Sequence, residues 1–393
     1  MSQRIAILGA GPTGLEAALA ALEKGFEPTV YEAADAPAGH VGEWGHVRLF
    51  TPWEMNVSPR AASALARAGK PVPGGAGCPT GAELRRQLYF PLAELPELAP
   101  RLCLGTRVLA VGRHGLLKNE EIASAERASR PFRLLVGREG RERIDSADVV
   151  IDTTGSYALP NSLGDGGIPA PGEAANEPFL RRRIPDFDRE REEWAGRRVL
   201  LVGAGHSAGT AARELARLAR EAPGTQVIWA LRGALPSADG AEEDPLPERA
   251  RLVREVAALS RGASPALSCK LGVAVESLAR DNGSLLVTLR GAGGLETVTV
   301  DRVLALTGAV GDHSLYRQLQ VHECYATCGP MKLSAALLGA GGGDCLAQVS
   351  HGAETLKNPE PGFFILGSKS YGRNNTFLLR IGWQQVDEVM SLL

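Results

Sequence analysis

One repeat narrows what this chain can become more than any other feature: "RIAILGAGPTGLEAA" at residues 4–18 and "RVLLVGAGHSAGTAAR" at 198–213. Each copy is an apolar run of strand length, a glycine-rich turn and an Ala/Leu-rich helical stretch. That order opens a βαβ unit built on a parallel sheet. Two copies far apart in one chain call for two such units. The expected fold is therefore α/β, with two Rossmann-like dinucleotide-binding domains.

In the first copy Gly9, Gly11 and Gly14 take the G-x-G-x-x-G places between a strand over Ile5 to Leu8 and a helix over Leu15 to Leu22. The first glycine makes the tight turn and the second admits a pyrophosphate to the backbone. The third lets helix and strand pack closely, and free N–H groups at the helix start face the phosphates. The following strand, "EPTVYEAA", ends at Glu32, a carboxylate placed to accept ribose hydroxyls. In the second copy Gly203 and Gly205 hold the first two places and Ala208 the third, an allowed variant. Its following strand, "TQVIWALR", ends on Arg232 and has no carboxylate at its tip. An arginine there forms charge-assisted bonds to a 2′-phosphate, which favours NADPH over NADH. His206, inside this second turn, reads as a nucleotide or solvent contact rather than a catalytic base.

Composition removes other classes. The 393 residues carry 43 Lys and Arg against 45 Asp and Glu, a net charge of −2, and 44% hydrophobic residues. That balance gives no reason to expect a nucleic-acid partner. The arginine run at 181–183 is followed by Asp186, Asp188, Glu190, Glu192 and Glu193, so it reads as a salt-linked, solvated segment. The first strand starts almost at Met1, leaving no room for a leader, and no apolar run is long enough to span a bilayer. A cytoplasmic protein is therefore expected, and without a secretion signal its six scattered cysteines are expected as reduced thiols; no pair shows C-x-x-C spacing. Cys324 and Cys328 form C-x3-C beside His322. They read as small core residues, and no metal site is expected.

Together, "GAGPTG" with Glu32, "GAGHSA", the strand ends "VVIDTTG" at 149–155 and "RVLALTG" at 302–308, and "FFILGS" at 363–368 carry a family resemblance. The chain resembles flavoproteins with two dinucleotide-binding domains, such as flavin-containing monooxygenases, bacterial N-hydroxylases and thioredoxin reductases. This implies FAD at the first turn, on Gly9, Gly11, Pro12, Thr13, Gly14 and Glu32. It implies NADPH at the second, on Gly203, Gly205, His206, Ser207, Ala208 and Arg232. The threonine–glycine strand ends mark the crossings between domains. An FAD domain is expected over 1–156 and 308–393, with an NADPH domain over 157–307. The resemblance also takes Gly367 and Ser368 to the ribityl and phosphate end of the flavin. Asn374, Asn375, Thr376 and Phe377 would lie at the start of a helix whose positive end faces the flavin ring.

The same resemblance sets the expected chemistry. The cysteine pairs of glutathione-type and thioredoxin-type reductases are absent from their usual places, so disulfide relay is not expected. The Phe-x-Gly fingerprint of the monooxygenases, with its following histidine, is absent too. The leading expectation is a divergent single-component monooxygenase that takes NADPH, O2 and a small-molecule substrate through a C4a-(hydro)peroxyflavin. Arg48, Trp53 and Asn56, in "GEWGHVRLFTPWEMNVSP" with His46, are its candidate catalytic contacts. Tyr325 and Lys332 form a second substrate candidate. The alternatives are an NADPH-dependent reductase of a small electron acceptor or thiol compound, and a regulatory protein that binds nucleotide without turnover. A homodimer is the one assembly left open.

Overall fold

The computed structural model describes residues 2–339, 346 and 348–393; Cys345 lies outside the described residues. The chain divides into two compact units, one of Met1–Gly45, Pro52–Leu159 and Ala309–Leu393, the other of His46–Thr51 and Pro160–Gly308.

The first unit is built on a parallel sheet. Its strands run in the order Phe363–Ile365, Val149–Asp152, Arg4–Leu8, Glu27–Tyr31 and Leu102–Cys103. The central strand reads RIAIL and buries Ile5, Ala6, Ile7 and Leu8, because a parallel strand covered on both faces has no polar side. One face packs on an antiparallel sheet of Arg107–Arg113, Phe132–Arg138 and Arg141–Ala147, through Leu8, Phe132, Leu134 and Val150. The helix Pro12–Glu23 follows the glycine turn, with proline in its first turn where no N–H is needed. It lies against the C-terminal helix Leu379–Leu392. Arg60 ties these helices together by pairing with Glu16, Glu23 at 2.8 Å and Asp387 at 2.7 Å.

The second unit repeats the plan. Its parallel strands run Leu267–Leu271, Gln226–Leu231, Arg198–Val202, Arg302–Ala305 and Leu180–Arg181. One face carries the helices His206–Glu221 and Pro247–Ala258, packed through Leu201, Leu215, Trp229 and Val256. The other carries an antiparallel sheet that includes the hairpin Ser284–Gly291 and Gly294–Val300, closed at the Gly291–Gly294 pair as the glycine cluster implies. The likeness reaches single bonds. Arg4 pairs with Asp148 at 2.6 Å and Arg198 with Asp301 at 2.9 Å, each arginine opening the central strand and each aspartate just ahead of the neighbouring one. In both cases the arginine backbone N–H also donates to that carboxylate, at 2.9 and 2.8 Å.

The segment His46–Thr51, expected with the FAD domain, belongs to the second unit. The physical reason is Phe50, whose ring packs against the helix-face core of that unit. The arginine run is salt-linked as expected, Arg181 to Glu190 and Glu193, and Arg182 to Glu173 and Glu177.

Candidate functional site

The first glycine turn gives each glycine its own reason to be there. Gly9 has φ +99°, and a Cβ on it would stand 3.0 Å from the Thr153 carbonyl oxygen. A Cβ on Gly14 would stand 1.9 Å from the Gly9 carbonyl oxygen, so only glycine lets the helix approach the strand. A Cβ on Gly11 would meet nothing within 4 Å. That opening, at the N-terminus of a twelve-residue helix with no acidic residue in its first turn, is where a pyrophosphate fits.

Glu32 stands at the strand tip beside this turn. Its carboxylate accepts the Ala10 N–H at 2.8 Å and the Ala34 N–H at 2.9 Å, which holds the turn and the next loop together. Thr153 Oγ1 donates to Leu8 and Gly9 carbonyls at 2.8 and 3.1 Å. Gly367, at φ +74°, comes so near that a Cβ would lie 2.9 Å from Thr13 Oγ1. The end of the strand Phe363–Ile365 is thereby brought to the first turn, and Ser368 opens the short helix beyond it. Pro12 and Thr13 are in the first turn of the helix. Asn374 Oδ1 accepts from Thr376 N and Oγ1 at 3.0 and 2.7 Å, a closed Asx turn. The helix begins only at Leu379, so Asn375, Thr376 and Phe377 precede it rather than form its first turn.

Two features here escaped the sequence reading. Lys369, wholly buried, pairs with the equally buried Asp152 at 2.6 Å and donates to Thr154 Oγ1 at 3.0 Å and the Asp312 carbonyl at 2.7 Å. This ties together the ends of two neighbouring strands that frame the turn. Gln385 accepts the Gly367 N–H at 2.8 Å and donates to Ser370 Oγ at 3.0 Å. The signal for the ion pair was an aspartate inside the apolar run "VVIDTTG"; nothing local announces its lysine.

In the second unit Gly203 has φ +134°, and a Cβ there would stand 2.2 Å from the Leu306 carbonyl oxygen. Trp229 Nε1 donates to the Gly203 carbonyl at 2.8 Å, the role Thr153 plays in the first turn. A Cβ on Gly205 would again meet nothing within 4 Å. Ala208 is fully buried against the core, and Ser207 is exposed in the first turn of the helix. His206 packs edge-on against Phe50, with ring centroids 5.2 Å apart. Partial desolvation, with the nearby Arg249 guanidinium, holds its pKa below the usual histidine value. Arg232 is exposed just past the tip of the strand Gln226–Leu231.

The trio proposed for oxygen chemistry is not gathered by any one unit. Arg48 belongs to the second unit, and Trp53 and Asn56 to the first. Asn56 is buried, with its amide donating to the Pro52 carbonyl at 2.7 Å. The loop around the C-x3-C also departs from expectation. Cys324 is buried, but Cys328 is only half-buried and its sulfur accepts from Arg373 Nε at 3.3 Å. Tyr325 is 95% exposed and Lys332 exposed.

Two parallel-sheet units, each with an open glycine cradle at a helix start, define a two-dinucleotide-binding-domain oxidoreductase. The family model described as pyridine nucleotide-disulphide oxidoreductase matches residues 3–324, and the chain belongs to that family. The family implies FAD and a pyridine nucleotide, and both cradles have the shape to hold them. The chain is 23% identical over 239 residues to flavin-containing monooxygenase 5 of Rattus norvegicus, covering 56% of this chain and 39% of that protein. It spans about two fifths of the length of the curated relatives it matches. Among solved structures, the bacillithiol disulfide reductase Bdr (YpdA) of Bacillus cereus superposes with a TM-score of 0.72 at 20% identity, covering 100% and 98% of the two chains. The ornithine N-hydroxylase of Kutzneria sp. 744 gives 0.63 at 14% identity, covering 100% and 99%. These likenesses establish the fold. Among the described residues, no helix is long and apolar enough to cross a membrane.

Proposed function

We propose that this flavoenzyme is an NADPH-dependent reductase that delivers two electrons to an external acceptor of the small disulfide or thiol-compound class. The observation that carries the two-cofactor part of this reading is the duplicated opening. At Gly11 and again at Gly205 a Cβ would have open space around it, while the flanking Gly9, Gly14 and Gly203 are closed by backbone. Bound FAD supplies the exchange between two-electron transfer from nicotinamide and transfer onward to the acceptor. The chain's own residues do the holding. Gly9 to Gly14 would present N–H groups to the FAD pyrophosphate, and Glu32, at the strand tip, would accept the ribose hydroxyls. Gly367 and Ser368 close the site from the neighbouring strand. In the second unit Arg232 offers its guanidinium to the 2′-phosphate.

The choice of a reductase is supported by the family and by the surroundings of Cys324 and Cys328. A monooxygenase is the second reading, favoured by the identity to the rat monooxygenase over 56% of this chain. Anaerobic rapid mixing of the FAD-loaded protein with NADPH, then with a disulfide, separates them. A reductase bleaches its flavin and recovers its colour with disulfide alone. Oxygen-dependent recovery, with ¹⁸O from O2 in an organic product, establishes the monooxygenase instead. A flavin that NADPH never bleaches marks a binding protein.

A further inference from the structure

The buried ammonium of Lys369 is a junction. It places all three of its donors inside the protein, on Asp152 Oδ2 at 2.6 Å, Thr154 Oγ1 at 3.0 Å and the Asp312 carbonyl at 2.7 Å. The Tyr316 ring covers a further side, with its centroid 5.2 Å from Nζ. The other Asp152 oxygen accepts from the Thr154 N–H at 3.0 Å and from its hydroxyl at 2.7 Å. Gly311 makes room for the lysine stem, since a Cβ there would lie 2.5 Å from Lys369 Cγ. Three separate stretches, 152–154, 311–312 and 367–369, thus meet at one side chain.

Two of those stretches also border the first glycine turn. A Cβ on Gly9 would stand 3.4 Å from Thr154 Cα, and one on Gly367 would stand 2.9 Å from Thr13 Oγ1. Gly155, at φ +75°, passes so near the second stretch that a Cβ on it would lie 3.7 Å from Ser368 Oγ. The ion pair therefore fixes the spacing between 153–155 and 367–368. Stability gives little reason for these charges, because two ions taken out of water lose in hydration most of what their attraction returns, and an apolar pair of similar volume often does as well. What the charged pair adds is direction: three hydrogen bonds to fixed acceptors define one placement of the lysine. With every donor engaged, Lys369 has none left for a cofactor and acts through the backbone it holds.

We propose that Lys369 is a positioning residue for FAD. Its pair with Asp152 holds 153–155 and 367–368 at the spacing that the ribityl and phosphate end of the cofactor requires, so flavin affinity depends on the pair even where the fold does not. The inference rests on the placement of FAD at the first turn, and it holds whichever acceptor takes the electrons.

The test titrates apoprotein of the full chain with FAD, followed by flavin fluorescence, at a temperature where circular dichroism shows each variant folded. Lys369→Met combined with Asp152→Asn removes both charges, whereas Gly311→Ala keeps both and displaces the lysine stem. Each should raise the Kd for FAD about tenfold, the effect of misaligning one hydrogen bond to a charged group, and should shift the visible absorption band of the flavin that remains bound. A pair that only stabilises the fold would lower the unfolding temperature and leave the Kd of the folded apoprotein at the parent value. That result in either folded variant overturns the inference. Gly11→Val in the same titration tests the placement beneath it. If Gly11→Val binds FAD as the parent does, the placement falls and the inference with it. Loss of binding there, beside parent affinity in the pair variants, removes the inference alone.

Discussion

Single residues in the two turns do separable jobs, and substitutions should separate them. Gly11→Val adds a side chain where nothing stands within 4 Å, so the protein should lose its flavin absorbance and unfold at the temperature of the flavin-stripped parent. Gly14→Ala places a methyl group 1.9 Å from a backbone oxygen and should cost about 3 kcal/mol in denaturant titration. If Gly11→Val purified fully yellow, the pyrophosphate would not lie where the turn opens. Arg232 is exposed at its strand tip, so Arg232→Ala should leave folding untouched. Losing a charge-assisted bond of about 1.5–3 kcal/mol should raise the Kd for NADPH about tenfold or more and barely move that for NADH. Equal losses, read by fluorescence titration, would take Arg232 off the 2′-phosphate. The glycines of both turns were legible in the sequence, because each is demanded by the geometry where it stands. His206 was expected to meet nucleotide or solvent, and its packing on Phe50 was not foreseen.

At the scale of elements, the strand ends are where charge was placed under cover. Lys369 and Asp152 join neighbouring strands of the first sheet, both without solvent contact. Lys369→Met leaves a buried carboxylate unpaired and should cost about 3–5 kcal/mol, while adding Asp152→Asn should recover part of the loss. Urea unfolding of the three variants measures this, and a Lys369→Met protein as stable as the parent would show that the pair holds nothing. The arginine–aspartate pairs at the two central strands behave differently, because they are part-exposed. Arg4 and Arg198 hold Asp148 and Asp301 below the usual carboxylate range. A depressed folded pKa stabilises the fold above the unfolded value of about 4 and loses that stability as pH falls through the folded value. Asp148→Asn with Asp301→Asn should therefore flatten the decline of stability between about pH 5 and 3, by under about 1 kcal/mol per pair. Sequence reading found the strands and the hairpin from periodicity. It set the start of the C-terminal helix too early, because Asn374 and Thr376 close an Asx turn ahead of the helix.

For the whole molecule, two units with separate cores should respond to their ligands separately. NADP⁺ at about a hundred times its Kd adds about 2.7 kcal/mol to whatever binds it. Hydrogen exchange should then slow in the sheet around Arg198–Val202 and the helix His206–Glu221, leaving amides around Gly9 to Gly14 unchanged unless FAD is varied. Protection appearing at the first turn on adding NADP⁺ alone would reverse the assignment. The sequence by itself determined the class of fold, the duplication and the two cradles, because turn, helix start and strand tip are local and each glycine is demanded by its immediate backbone. Only the tertiary structure decided which distant residues complete them. It sent His46–Thr51 to the second unit through the packing of Phe50, brought Lys369 to Asp152, and set the cysteine loop on the stretch that follows Ser368. Such contacts depend on how burial and backbone hydrogen bonding are satisfied across the whole fold, and no local pattern in the chain encodes them.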